Sequence, residues 1–357
     1  MTLILSNDDV EELLTMQDCI DVLEDAYAEL SEGRGISRTR SDCVAPTKTP
    51  DVYYGLKSMC GVIPKLEVSA IRINSDILTW PKRGEKMRRE KVPSAPNARY
   101  VGLVLLFSTE TGEPLAIFPD GVMQRLRVGA TNALGVKYLA RKNAKSIGIL
   151  GSGWQAGTQL TGALCVRDIQ TVRCFSPNIE NRTKFAREMS ETLGIEVIPV
   201  DTAEEAVSSA DIVMCATNTI ENIFFERWIE PGMHFTSIKR PEVEVNAIKR
   251  ADRLVIHTND GTPIHFLTKG LVLPEKVDGK GWEVAEEIDF EHLPTLPELI
   301  TGKTPGRGSD QEVTCFLNNL GLGFQFAAAG SVVYHKAIQK GLGRNLPTDW
   351  FTETVHP

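Results

Sequence analysis

Near the start of the chain, apolar residues fall at helical spacing twice. Val10, Leu13, Leu14 and Met16 form one stripe, with Asn7 or Asp8 as the expected N-cap. Ile20, Val22, Leu23, Ala26 and Leu30 form a second, over about Met16 to Leu30, which Gly33 and Gly35 end. The period then shortens. Ser37 to Asp42, Val52 to Met59, Ser69 to Ile77, Val101 to Ser108 and Pro114 to Phe118 read as strands. Thr109 to Glu113 is a hairpin turn with Gly112 where positive φ is needed. Short strands joined by turns predict an antiparallel or mixed sheet. Between Trp80 and Tyr100 lies a polar stretch with Lys82, Arg83, Lys86, Arg88, Arg89 and Lys91, read as a solvated loop or as one that gates an anion.

The pattern changes after Val122. A helix over Val122 to Arg141, carrying Leu126, Ala130, Ala133, Leu134 and Leu139, leads into Ser146 to Leu150. That run is apolar without alternation, the mark of a strand buried on both faces of a parallel sheet. Gly151, Gly153 and Ala156 follow as G-x-G-x-x-A, opening a helix over Gln155 to Val166. Gly151 permits a tight turn, Gly153 lets a pyrophosphate approach the backbone, and Ala156 lets the helix pack close to the sheet. The free N–H groups at the start of that helix, beside Trp154 and Gln155, then face phosphate. Thr171 to Phe175 is the second strand of such a unit. It ends in Phe175-Ser176-Pro177-Asn178 and not in the Asp or Glu that binds a ribose 2′-hydroxyl, and Arg182 and Lys184 follow. This favours NADP(H) over NAD, unless both cations simply face water. Further strands are expected at Ile195 to Val200, Ile212 to Ala216 and Leu254 to His257, with helices between them. Thr217 and Asn218, ending a buried strand, are candidate cofactor contacts, as is Asn319. The chain reads as irregular from about Asp260 to Glu286. A last helix, Phe324 to Lys340, has small residues Ala327, Ala328, Ala329 and Gly330 that allow close packing.

Composition narrows the function. A chain of 357 residues with 42% hydrophobic and 24% charged residues is an ordinary globular protein, large enough for two domains. No apolar run approaches a membrane span, and the acidic start argues against a secretory signal. Seven scattered cysteines without a C-x-x-C pair read as reduced thiols of a cytoplasmic protein. A net charge of −8 disfavours nucleic acid, and the six histidines show no metal-ligand spacing.

Four stretches together resemble the ornithine cyclodeaminase/μ-crystallin family. They are Ser6 to Leu14 (S-x-x-D-V-x-x-L-L), Thr111 to Ala116, the Arg127 helix ending Lys137-Tyr138-Leu139-Ala140-Arg141, and Gly151-Ser152-Gly153-Trp154-Gln155-Ala156. The resemblance spans nearly the whole chain. It implies an α/β protein: a Rossmann domain (126–317) inserted in a mixed-sheet α+β domain for substrate and dimerisation (1–125 plus 318–357), assembled as a homodimer. It also implies chemistry at a carbon bearing an amino or imino group beside a carboxylate. By position, Arg40, Arg72 and Arg127 are the residues that would bind that carboxylate. Two departures stand out. Lys57 occupies the place of a cyclodeaminase glutamate, and Lys239 or Arg240 that of an aspartate. A diamine needs an acid partner for its second ammonium, so the swap argues against ornithine and for a substrate with a second anionic group. Alternatively, Lys57 and Lys239 face solvent or pair with Glu67, Glu242 or Glu244. The expectation is an NAD(P)-dependent imino-acid reductase or amino-acid dehydrogenase. Lys57 or Lys239, or water held by Asn74 or Asp76, would supply the proton. A cyclodeaminase and a non-catalytic cofactor-binding crystallin are the alternatives.

Overall fold

The computed structural model describes residues 1–83, 86–87, 90–219, 221–238, 242–259, 263–272 and 288–355. The chain divides into two compact units, Met1–Gln124 with Asp260–Asp278 and Leu322–Pro357, and Arg125–Asn259 with Gly279–Gly321.

The first unit is built on a ten-stranded mixed sheet. Its path runs Ile264–Leu267, Ser41–Pro46, Val52–Ile63, Val68–Thr79, Val101–Ser108, Pro114–Pro119, Thr2–Ile4 and Arg344–Leu346. Ile36–Ser37 and Glu90–Val92 pair onto the two long central strands. Side chains alternate strictly. Val52–Ile63 buries Gly55, Lys57, Met59, Gly61 and Ile63, and Val68–Thr79 buries Val68, Ala70, Asn74, Asp76 and Leu78. The helix Phe324–Lys340 covers the apolar end of this inner face. A side chain at Gly61 would lie 2.2 Å from the Cα of Phe324, so only glycine allows that approach. Gly330 sits against Leu106 and Phe118. Helices Asn7–Leu13 and Met16–Ser31 pack on the same element. Tyr27 meets Phe324 edge-on at 5.1 Å and accepts a hydrogen bond from Gln325 at 2.9 Å.

The second unit is a seven-stranded, all-parallel sheet in the order Glu196–Pro199, Thr171–Phe175, Ser146–Leu150, Ile212–Cys215, His234–Ser237, Thr314–Leu317 and Arg253–Ile256. Two buried apolar clusters flank it. One gathers Ile147, Ile149, Leu160, Val172 and Met214, the other Leu150, Val213, Phe224, Phe235 and Leu317. This is the doubly wound arrangement with its change of direction at Ser146–Leu150, the strand that runs into Gly151.

Four expectations need correction. The first helix is capped by Ser6, not Asn7 or Asp8. The Ser6 hydroxyl accepts the Asp9 N–H at 3.1 Å, and the Asp9 carboxylate accepts the Ser6 N–H at 2.7 Å. The stretch between Trp80 and Tyr100 is not simply a loop. Lys82–Arg83 pairs with Lys86–Met87, and Glu90–Val92 extends the sheet; Arg88 and Arg89 lie outside the described residues. Within the stretch from Asp260, Ile264–Leu267 forms a parallel edge strand on Ser41–Pro46. Thr314–Leu317, not read as a strand, fills the gap between two other parallel strands.

Candidate functional site

At the carboxyl edge of the parallel sheet, Gly151 leaves Ser146–Leu150 with φ of 124°, a conformation closed to L side chains. A Cβ there would also lie 2.3 Å from the Ala216 carbonyl oxygen. Gly153 differs. Its backbone is ordinary (φ −87°, ψ 173°), it is the N-cap of Trp154–Val166 without a side-chain cap, and nothing lies within 4 Å of where its Cβ would be. The open space and uncapped N–H groups fit a dinucleotide pyrophosphate. Trp154 is exposed, Gln155 is half-buried, and Ala156 is buried against the sheet. Ser152 donates to Ser176 at 2.8 Å, tying the glycine turn to the end of the second strand.

The other cofactor candidates have structural partners. Asn178 caps the helix Ile179–Leu193, accepting the Asn181 N–H at 2.8 Å. Arg182 is buried, donates to the Ser176 carbonyl at 3.2 Å, and pairs with the exposed Asp201. Its guanidinium thus ties the end of the second strand to Asp201, just beyond the third. Lys184 is exposed, near Glu188 at 3.7 Å. Thr217 gives its N–H and hydroxyl (2.5 and 2.7 Å) to one oxygen of Glu242, and Ser237 gives its hydroxyl to the other at 2.6 Å. This fully buried carboxylate joins the ends of Ile212–Cys215 and His234–Ser237. Asn218 is exposed on the same loop. Asn319 is fixed to Thr258, accepting its N–H at 3.2 Å and donating to its carbonyl at 2.7 Å.

Arg127 belongs to this second unit and is buried. A side chain at Gly321 would come within 2.7 Å of both its Nη atoms, so the guanidinium lies across that glycine, just beyond the strand Thr314–Leu317. Fully buried His257 stands near it. Burial pushes the His257 pKa down to about 3, against a hydrogen bond to the Leu320 carbonyl, with Arg127 adding to the depression.

The first unit assembles the remaining candidates on the inner face of its sheet. His265, Asp42, Lys57, Asn74 and Gly102 form one row across five neighbouring strands. Arg72 and Asp76 flank Asn74 on the same face. Arg40 donates through Nε and Nη2 to the two oxygens of Asp42, at 2.8 and 2.9 Å. Lys57 meets one oxygen of Asp76 at 2.8 Å, and Lys91 the other at 2.9 Å. Burial pushes the Asp76 carboxyl up, but the two ammoniums outweigh it and hold it below its usual value. Arg72 is held by Asp120, at 2.7 Å from Nε and 2.6 Å from Nη2. Arg40 and Arg72 each pair with an aspartate of their own, while Lys57 and Lys91 share Asp76, so four cations meet three carboxylates. Lys239 and Arg240 lie outside the described residues. The sequence reading missed Asp42, Asp120 and the role of Glu242. Asp42 had a signal, standing one strand repeat after Arg40. Asp120 had none, since it meets Arg72 from 48 residues away.

Among the described residues, no group of side chains is set to hold a metal ion, and no helix is long and apolar enough to cross a membrane. The chain is 27% identical to a Delta(1)-pyrroline-2-carboxylate reductase of Bacillus cereus, over 96% of this chain and 99% of that protein. It is similar in structure to the Delta(1)-pyrroline-2-carboxylate reductase of Thermococcus litoralis, solved in complex with NADH and L-proline (TM-score 0.78, 27% identity, 97% of this chain and 100% of that one). It is similar too to an archaeal alanine dehydrogenase dimer with bound NAD (TM-score 0.77, 26% identity, 97% and 99% covered). With residues 1–341 matched by the family's description and both folded units accounted for, the chain belongs to the ornithine cyclodeaminase/mu-crystallin family.

Proposed function

We propose that the protein is an NAD(P)-dependent oxidoreductase acting on the carbon–nitrogen bond of a small 2-imino or 2-amino acid. The observation that carries this reading is the pair of arginines, Arg40 and Arg72, each held by an aspartate along its Nε edge. Oriented guanidiniums bind a carboxylate in a fixed pose, and a fixed carboxylate aligns the neighbouring carbon. Likeness to pyrroline-carboxylate reductases and an alanine dehydrogenase supports the choice of bond.

Gly151, Gly153 and the start of Trp154–Val166 would hold the pyrophosphate, and Ser176 and the Thr217–Asn218 loop the riboses. The bound nicotinamide supplies or accepts a hydride. Arg40 and Arg72 bind the substrate carboxylate, and Arg127 is a further carboxylate-binding candidate in the second unit. Lys57, buried and held by ionised Asp76, presents an ammonium that can give a proton to the substrate nitrogen. Four cations meet three aspartates on this face, which supports keeping a second anionic group on the substrate within the proposal. With Arg182 engaged, NAD and NADP both remain within the proposal.

The outer face of the same sheet supports a homodimer. Leu103 and Val101 are exposed there, in register with Ile73 and Ser75, and Leu56 and Tyr54 lie on the next strand but one. The seven free thiols accord with a cytoplasmic setting. The test is NAD(P)H oxidation over a panel of cyclic imino acids and 2-oxo acids with ammonia or methylamine. Turnover of a carboxylate-bearing imine is expected. Ammonia release from ornithine or lysine without net NAD(P)H consumption would replace this reading with a cyclodeaminase.

A further inference from the structure

Asp120 stands immediately before the helix Gly121–Leu139, and its backbone is pinned from both sides. Its N–H donates to the Gly102 carbonyl at 3.1 Å, and its carbonyl accepts the Gln124 N–H at 2.7 Å. Its Oδ2 gathers three donors: Arg72 Nε at 2.7 Å, Arg72 Nη2 at 2.6 Å and Asn74 Nδ2 at 3.0 Å. All three side chains are largely buried. The carboxylate rests directly on Gly102, where a Cβ would lie 2.1 Å from Asp120 Oδ1 and 2.5 Å from Asn74 Nδ2. The Arg72 guanidinium also lies over the Phe326 ring, 5.1 Å from its centroid. The flat group is thus fixed on one edge by charge and on one face by an aromatic ring. Its remaining Nη1 corner points in a single direction.

We propose that Asp120 is a positioning residue for Arg72, and that Gly102 is required because it leaves room for that carboxylate. The proposal rests on the reading that Arg72 binds the substrate carboxylate. A mobile arginine would lose part of its binding energy to ordering at each turnover, whereas one already bonded along Nε meets the substrate with its geometry set. Asp120 touches no reacting atom in this account; it acts through Arg72.

The test is a double-mutant cycle read in KM for the imino acid, kcat, NAD(P)H affinity and melting temperature. Asp120→Ala is expected to raise KM about tenfold, a usual size for coupling within one hydrogen-bonded cluster, while NAD(P)H affinity stays within about twofold. In an Arg72→Ala background it should add less than about twofold. Gly102→Ala should reproduce the KM increase, since its methyl displaces the carboxylate. Should Asp120→Ala not fold, Asp120→Asn carries the cycle, keeping the shape while removing the charge. An equal KM factor in both backgrounds overturns the proposal, as does an unchanged KM in Asp120→Ala. An unchanged KM in Arg72→Ala would instead remove the reading beneath it.

Discussion

Replacing Gly153 with alanine separates what the glycine turn does for the fold from what it does for the cofactor. The backbone at Gly153 is one any residue adopts, and no heavy atom lies within 4 Å of the added methyl. The fold should therefore lose only the small difference between glycine and alanine as N-caps, roughly 0.5 kcal/mol. The pyrophosphate would lose its closest approach to the backbone, and affinity should fall about tenfold or more, the effect of about 1.4 kcal/mol. Gly151 gives the opposite control. Alanine there meets both a φ of 124° and a carbonyl oxygen at 2.3 Å. Strain of about 1–3 kcal/mol and overpacking of similar size should destabilise the unit by about 3 kcal/mol or more. That corresponds to roughly 6–12 °C in Tm for a domain of this size. Thermal melting and NADH fluorescence titration on the two variants measure both effects. A Gly153→Ala protein that melts normally and binds NADH and NADPH as tightly as the parent would refute the placement of the pyrophosphate.

Three further outcomes follow from the same geometry. Arg182→Ala should weaken NADH and NADPH to the same degree, because Arg182 supports the Ser176 backbone; selective loss of NADPH would show that it binds a 2′-phosphate instead. Burial lowers the pKa of both His234 and His257 to about 3, below an unfolded value near 6.5, with nearby arginines adding to it. Such groups contribute stability that is complete above pH 6.5 and is lost as pH falls toward 3, because the unfolded chain then binds the extra protons. Unfolding free energies from urea titrations should fall by up to about 1.4 kcal/mol per pH unit for each histidine across that window, and a flat profile from pH 6.5 to 4 would contradict the burial of both. If the proposed homodimer forms through the outer sheet face, Leu103→Asp should give monomers in light scattering while leaving the far-UV spectrum unchanged; a dimer that persists would place the interface elsewhere.

What could be read from the sequence depended on how local the physics was. Gly151, Gly153 and Ala156 carry their meaning in three positions, because each role follows from a missing or small side chain. Arg72, Asn74 and Asp76 lie two apart along a strand, and its alternation puts them on one face. Their partners were not legible. Asp120 reaches Arg72, and Glu242 reaches Thr217, only through the packing of elements distant in the chain. The cations could be counted along the chain, but their pairing with Asp42, Asp76 and Asp120 could not. Arg182 was read as facing the cofactor or solvent, yet its side chain folds under the Ser176 turn, a choice made by the Asp201 carboxylate beyond the third strand. Thr314–Leu317 and Ile264–Leu267 are four residues each, too short for periodicity to show, and their pairing partners decide them.

The central claim is that a hydride passes between the nicotinamide and the carbon beside the substrate carboxylate. Reduced cofactor deuterated at the nicotinamide C4 position, incubated with the enzyme and the best imino acid of the panel, tests it directly. The account predicts deuterium at the α-carbon of the amino-acid product, in proportion to cofactor oxidised, and loss of that transfer in Arg72→Ala at subsaturating substrate. Product formed without label, or label lost to solvent while ammonia is released, would contradict it.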